Sequence, residues 1–144
     1  MTLLQKFIKL NFTRKCLYLE VVFWLAVSGL SVRMLPFRLV ARILGKHMAQ
    51  SEAKYDQDTL KKVQSVISAV TVAGRHVPWE CKCLVQAITG KMVLKRKGIQ
   101  STLFLGIAKQ NPVELSAHAW LKVDQWVVLG GGGLEKYAVV STFS

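Results

Sequence analysis

The chain predicts an α+β fold, with helices first and a small antiparallel sheet after them. Apolar residues recur every three or four positions in the first two thirds, and beyond Gly98 they alternate. Turn residues also punctuate the last third at short intervals, with glycine and an Asn-Pro pair between β-rich runs. With 144 residues, 51 % of them apolar, the chain can bury a core and does not have the composition of a disordered one. Residues 1–56 read as an N-terminal helical region and residues 57–144 as the unit that carries the chemistry.

Residues 16–30 form one apolar helix ending near Gly29. Pro36 suits the first turn of a second helix, which runs through Leu44 to a stop at Gly45. A polar connector follows over 46–56. Leu60, Val63, Ile67 and Val70 then mark one face of an amphipathic helix that stops by Gly74, with Lys61, Lys62 and Gln64 on the wet side. After Pro78, the spacing of Leu84, Ala87, Ile88 and Leu94 predicts a helix closed by Gly98, weakened by Gly90 but not forbidden. Strands are expected over 99–107, 117–123, 125–129 and 137–143, with a loop at Asn111-Pro112.

The formal charge of +12 calls for a surface that meets something acidic. No helix-turn-helix, zinc-finger spacing or aromatic RNA-binding motif accompanies it, so nucleic acid is not the expected partner. The run VVFWLAVSGLSV, residues 21–32, holds 12 uncharged residues between Glu20 and Arg33. As a helix it rises only about 18 Å, against about 30 Å of hydrocarbon. A buried helix is the better reading, and peripheral contact with a membrane stays open. Three cysteines, an odd number, suggest free thiols in a reducing, cytoplasmic compartment.

Cys83 stands at the start of the helix after Pro78. The unpaired N–H groups there favour a thiolate and can receive the oxyanion formed when a carbonyl is attacked. A buried structural cysteine is the plainer alternative. His118 lies on a strand where Ala117, Ala119, Leu121 and Val123 face the core, so His118, Trp120 and Lys122 face the other way, toward a helix N-terminus or solvent. A cysteine at a helix start followed by a histidine on a later strand is the layout of a nucleophile–base pair.

The set formed by Trp79, Cys83, Leu84, Gln86 and Ala87, the closing R-K-G-I, the strand L-F-L-G-I and then H-A-W resembles a transglutaminase-like cysteine protease. Within that superfamily it is most similar to the leader peptidases of bacterial lasso peptide biosynthesis. The LPFRLVARILG stretch (residues 35–45) and the ending VVLGG followed by a tyrosine agree. The resemblance implies hydrolysis of a peptide bond in a ribosomally made precursor, freeing the core peptide for a cyclase. It makes Cys83 the nucleophile and His118 the base, with no cofactor. It also implies that a separate leader-recognition protein delivers the precursor's leader peptide, and that the lasso cyclase is a further partner.

The resemblance further implies an orienting aspartate on the strand after the histidine, and Asp124 is the first acidic residue there. Along one strand, six residues span about 20 Å, far beyond hydrogen-bond reach. If Asp124 and Gln125 make a two-residue hairpin turn, His118 comes opposite Gly131 with Gly130 adjacent. Three solutions stay open. A backbone carbonyl near the glycines, or Glu114 or Glu135, holds the ring; Asp124 lies on a segment that bends back; or the pair works alone. Bare backbone at the glycines would also let an extended peptide lie close.

Trp79 and Trp120 read as packing around the site, with the Trp79 indole N–H a weaker candidate oxyanion donor. Cys81, Cys83, His76 and His118 offer soft metal ligands but lack a second pair at zinc spacing, so no metal is expected. Amide transfer to an amine, or a non-catalytic peptide-binding scaffold, are the competing functions.

Overall fold

The computed structural model describes residues 2–44, 55–79, 81–109, 111 and 113–144. The Gly45 stop, most of the 46–56 connector and Pro112 lie outside the described residues. Five helices, α1 (Leu3–Ile8), α2 (Phe12–Met34), α3 (Phe37–Leu44), α4 (Gln57–His76) and α5 (Cys83–Arg96), precede the strands β1 (Thr102–Lys109), β2 (Leu115–Val123), β3 (Trp126–Leu129) and β4 (Ala138–Phe143). The strands form one antiparallel sheet in the order β3-β2-β1-β4, an α+β arrangement consistent with the expected one.

Local chemistry sets the helix ends. Asp56 caps α4 by accepting the Thr59 N–H at 2.9 Å, a bond that holds its carboxyl below the ordinary range. Gly98, at φ 75°, closes α5 with Ile99 N–H on the Leu94 carbonyl and Gly98 N–H on that of Lys95, a Schellman motif. α2 continues past Gly29 until Leu35, which is extended ahead of Pro36. α4 likewise runs past Gly74. Neither glycine ends its helix, because each packs a side chain from elsewhere: Trp79 on Gly29, Gln86 on Gly74.

One core joins the layers. Val21 and Leu25 of α2, Val63, Val66 and Val70 of α4, and Ala87, Val93 and Leu94 of α5 pack with Leu103, Leu121, Leu129 and Phe143 of the sheet. Gly90 is the point of closest approach: a Cβ there would lie 2.8 Å from Leu129 and 3.1 Å from Leu121. The missing side chain lets α5 press onto the sheet. Thr89 donates to Ser28 at 3.2 Å, linking α5 to α2 inside the core.

The buried Lys91 donates to the Ser101 carbonyl at 2.8 Å. Burial, helped by the nearby Lys95 charge, lowers its pKa to about 8.

α2 corrects the reading of a buried helix. It has 23 residues and is long and apolar enough, by length and composition, to cross a bilayer. Only one of its faces is buried, at Val21, Leu25 and Ser28. Glu20, which seemed to interrupt the apolar run, pairs with Arg96 at 2.7 Å.

Candidate active site

Cys83 is the first residue of α5, after Lys82 in extended conformation at the N-cap. Lys82 provides no side-chain cap to the first N–H groups of the helix. The thiol is half-buried, packed with Cys81, Leu84 and Trp79 against the core. Gln86 fixes the approach to the helix by donating its amide to the Cys81 carbonyl at 3.0 Å. Burial pushes the Cys81 thiol up, keeping it protonated near neutrality. The Trp79 indole N–H works in the opposite direction on that thiol without closing a full hydrogen bond. That indole nitrogen is buried and has no hydrogen-bond partner among the described residues.

His118 sits near the middle of β2. Its Nε2 lies 2.7 Å from the carbonyl oxygen of Gly130. A carbonyl can only accept, so Nε2 carries the proton and Nδ1 keeps the lone pair of a base. The imidazole lies 5.1 Å from the Tyr137 ring and 6.1 Å from that of Trp120, and Trp120 stacks on Phe104 at 5.6 Å. Lys122 lies over Phe104 and Lys136 over Tyr137, making this aromatic patch cationic at its rim.

Gly130 is the residue that holds the ring, and only glycine fits there. Its φ is +73°, and a Cβ would fall 2.5 Å from the Ala119 carbonyl oxygen. An aspartate at this position would collide with the neighbouring strand. Of the open alternatives for the orienter, the structure shows the backbone carbonyl. The hairpin pairs Val123 with Trp126 as expected, but a bulge then matches Leu121 with Leu129. Past the bulge Gly130 lies against Ala119 and Trp120, and its carbonyl reaches the ring.

Asp124 is placed away from the ring. It occupies the first position of the turn at φ 55°, at the far end of β2 from His118. Glu114 is hydrogen-bonded to Asn111 at 3.3 Å, and Glu135 is exposed in a short 3₁₀ turn. Neither is bonded to the ring. His76 lies against the Val72 carbonyl of its own helix, and no three potential metal ligands come together among the described residues.

The relation of Cys83 to His118 differs from expectation. Leu103 and Leu121 face α5, while His118 shares its parity with Trp120 and lies opposite Gly106, beside Tyr137. The face opposite the apolar one is therefore not the face that meets the helix N-terminus; α5 belongs to the apolar side. Among the described residues no hydrogen bond joins the thiol to the imidazole. The two groups are positioned by adjacent elements but on different faces of the sheet.

Sequence reasoning missed Tyr137 as a neighbour of the imidazole. Tyr137, just ahead of β4, lies against Gly106, the partner of His118 across β1 and β2, and no local pattern in the sequence signals that contact. A groove of about 660 Å³ lies between α4 and β3, lined by Leu60, Gln64, Ile67, Trp126 and Val127. None of Cys83, His118 or Gly130 lines it.

A helix-borne cysteine ahead of a strand-borne histidine, on this helix-and-sheet scaffold, defines the class. The chain belongs to the transglutaminase-like superfamily, whose family model matches residues 31–142. That superfamily contains cysteine proteases and transglutaminases. No curated protein and no solved structure gives a match.

Proposed function

We propose that the protein is a cysteine peptidase that removes the leader from a lasso peptide precursor in the cytoplasm. The observation that carries this reading is the His118 ring, held at Nε2 by the Gly130 carbonyl with no hydrogen bond at its basic Nδ1 among the described residues, in a chain whose Cys83 opens a helix. In the proposed reaction the Cys83 thiolate attacks the scissile carbonyl, and the oxyanion takes N–H bonds from the first turn of α5. Imidazolium His118 protonates the leaving amine as the C–N bond breaks. Water then attacks the thioester, gives its proton to His118, and releases the carboxylate and the thiolate.

This sequence needs the sulfur and Nδ1 in contact across the substrate. In the proposal, binding of the peptide brings them together. A separate leader-recognition protein delivers the precursor, and the lasso cyclase receives the product.

The placement of His118 on the face away from α5 favours a second reading, a non-catalytic scaffold that holds the peptide for a partner enzyme. Mass spectrometry of a precursor peptide incubated with the recognition protein and wild-type, Cys83→Ala or His118→Gln chains separates the two. The peptidase reading expects cleavage by the wild type alone. Equal cleavage by all three, or none by any with the peptide still bound, would overturn it in favour of the scaffold. Capture of the acyl group by an added primary amine, without hydrolysis, would assign amide transfer instead.

A further inference from the structure

A helix that is apolar all round is normally covered all round. α2 is not. Its inward face, centred on Val21, Leu25 and Ser28, is sealed in the core. On the opposite side Phe12, Leu19, Phe23, Leu30 and Met34 are each between 59 % and 81 % exposed. Their spacings of seven and four, with the exposed Cys16 and Ala26 filling the gaps, draw one line along the helix. No charged residue interrupts that line. The helix extends about 35 Å, and the stripe runs its length.

The charge around the stripe selects its occupant. Residues 1–44 hold seven basic residues, Lys6, Lys9, Arg14, Lys15, Arg33, Arg38 and Arg42, against a single acid, Glu20. Arg96 already neutralises that acid. By helical angle, Lys15 and Arg33 stand on the same rim of the stripe, one near each end. A second copy packed face to face and antiparallel would bring Lys15 against Arg33 twice. Like charges so placed oppose self-association. An anionic bilayer surface satisfies both features at once: the apolar stripe enters the acyl boundary while the rim cations meet headgroup phosphates.

We propose that the outer face of α2 docks the protein onto an anionic membrane surface, lying in the interface and not crossing it. Spanning would require lipid on the side of the helix that α4 and α5 occupy. The proposal does not rest on the peptidase reading, and a Cys83→Ala chain should behave as the wild type in its test.

The test is flotation of the full-length protein with vesicles of phosphatidylcholine, alone or with about a third phosphatidylglycerol, at low and high salt. The wild type is expected to float with the anionic vesicles at low salt and to stay behind with the neutral ones. Leu19→Glu combined with Phe23→Glu, and separately Lys15→Glu with Arg33→Glu, should each lower partitioning about tenfold or more. Circular dichroism and thermal melts should be unchanged, because none of these side chains is in the buried core. Absence of flotation by a folded wild type would overturn the proposal. So would equal flotation by the acidic variants, or a wild-type dimer that the Leu19→Glu, Phe23→Glu chain dissolves while vesicles bind neither.

Discussion

The two faces of the sheet are made from alternating residues of the same strands, yet they do different work. On the α5 side Leu103, Ala119, Leu121 and Leu129 are aliphatic and sealed. On the other side Phe104, Trp120, Tyr137 and His118 form an aromatic patch edged by Lys122 and Lys136. The first face stabilises through area removed from water; the second positions one titratable ring through a single carbonyl. The difference teaches that stability and chemistry can be separated by a shift of one residue along β2.

The largest effect should come from the chemical groups. Replacing Cys83 with Ala, or His118 with Gln, should lower precursor cleavage about a thousandfold or more, with the thermal midpoint unchanged. Loss of fold in either variant would erase the division between the faces. Next, Leu121→Ala should cost about 2–5 kcal/mol in denaturant unfolding, because its buried side chain touches both helix and strand. A cost below about 1 kcal/mol would show that α5 does not press on this face.

Gly130 tests both faces at once. Gly130→Ala should destabilise by about 2–4 kcal/mol, through its left-handed φ and the contact with the Ala119 carbonyl, and should also slow cleavage by releasing the ring. Retained stability with full activity would dismiss the carbonyl as orienter.

A smaller effect concerns Lys91. Its folded pKa, about 8, lies below the ordinary lysine value of 10.5, so between these pH values the unfolded chain binds more protons than the folded one. Stability should therefore rise as pH increases from about 8 to 10.5 and be lowest below that window. Lys91→Met should flatten that rise in pH-dependent unfolding. Smallest of all, Asp124→Gly should stabilise the chain by about 0.5–1 kcal/mol, because the turn needs a positive φ there and the site does not need the carboxylate. Impaired cleavage in that variant would restore Asp124 to the site.

Much of this organisation could be read from the residues. The alternation in 117–123 assigns each side chain to its face, and the apolar spacing after Pro78 makes Cys83 the opening residue of a helix. What could not be read depends on contacts between distant segments. Gly29 and Gly74 look like helix stops, but Trp79 and Gln86 pack onto them, and no local pattern announces that. Glu20 looks like a break in an apolar run until Arg96 arrives from a helix 76 residues away. The bulge between β2 and β3 moves the register, and the contact of the Gly130 carbonyl with the ring is settled only in three dimensions. Parity placed His118 opposite the aliphatic face; the side on which α5 would lie was a tertiary choice.

The central claim is that a backbone carbonyl takes the place of a carboxylate in holding His118. The most direct measurement is the ¹⁵N resonance pattern of its imidazole at a pH where the ring is neutral, assigned by its disappearance in His118→Gln. A single Nε2–H tautomer, with Nδ1 unprotonated, is the result the account predicts. An Nδ1–H tautomer, or rapid averaging between the two, would contradict it.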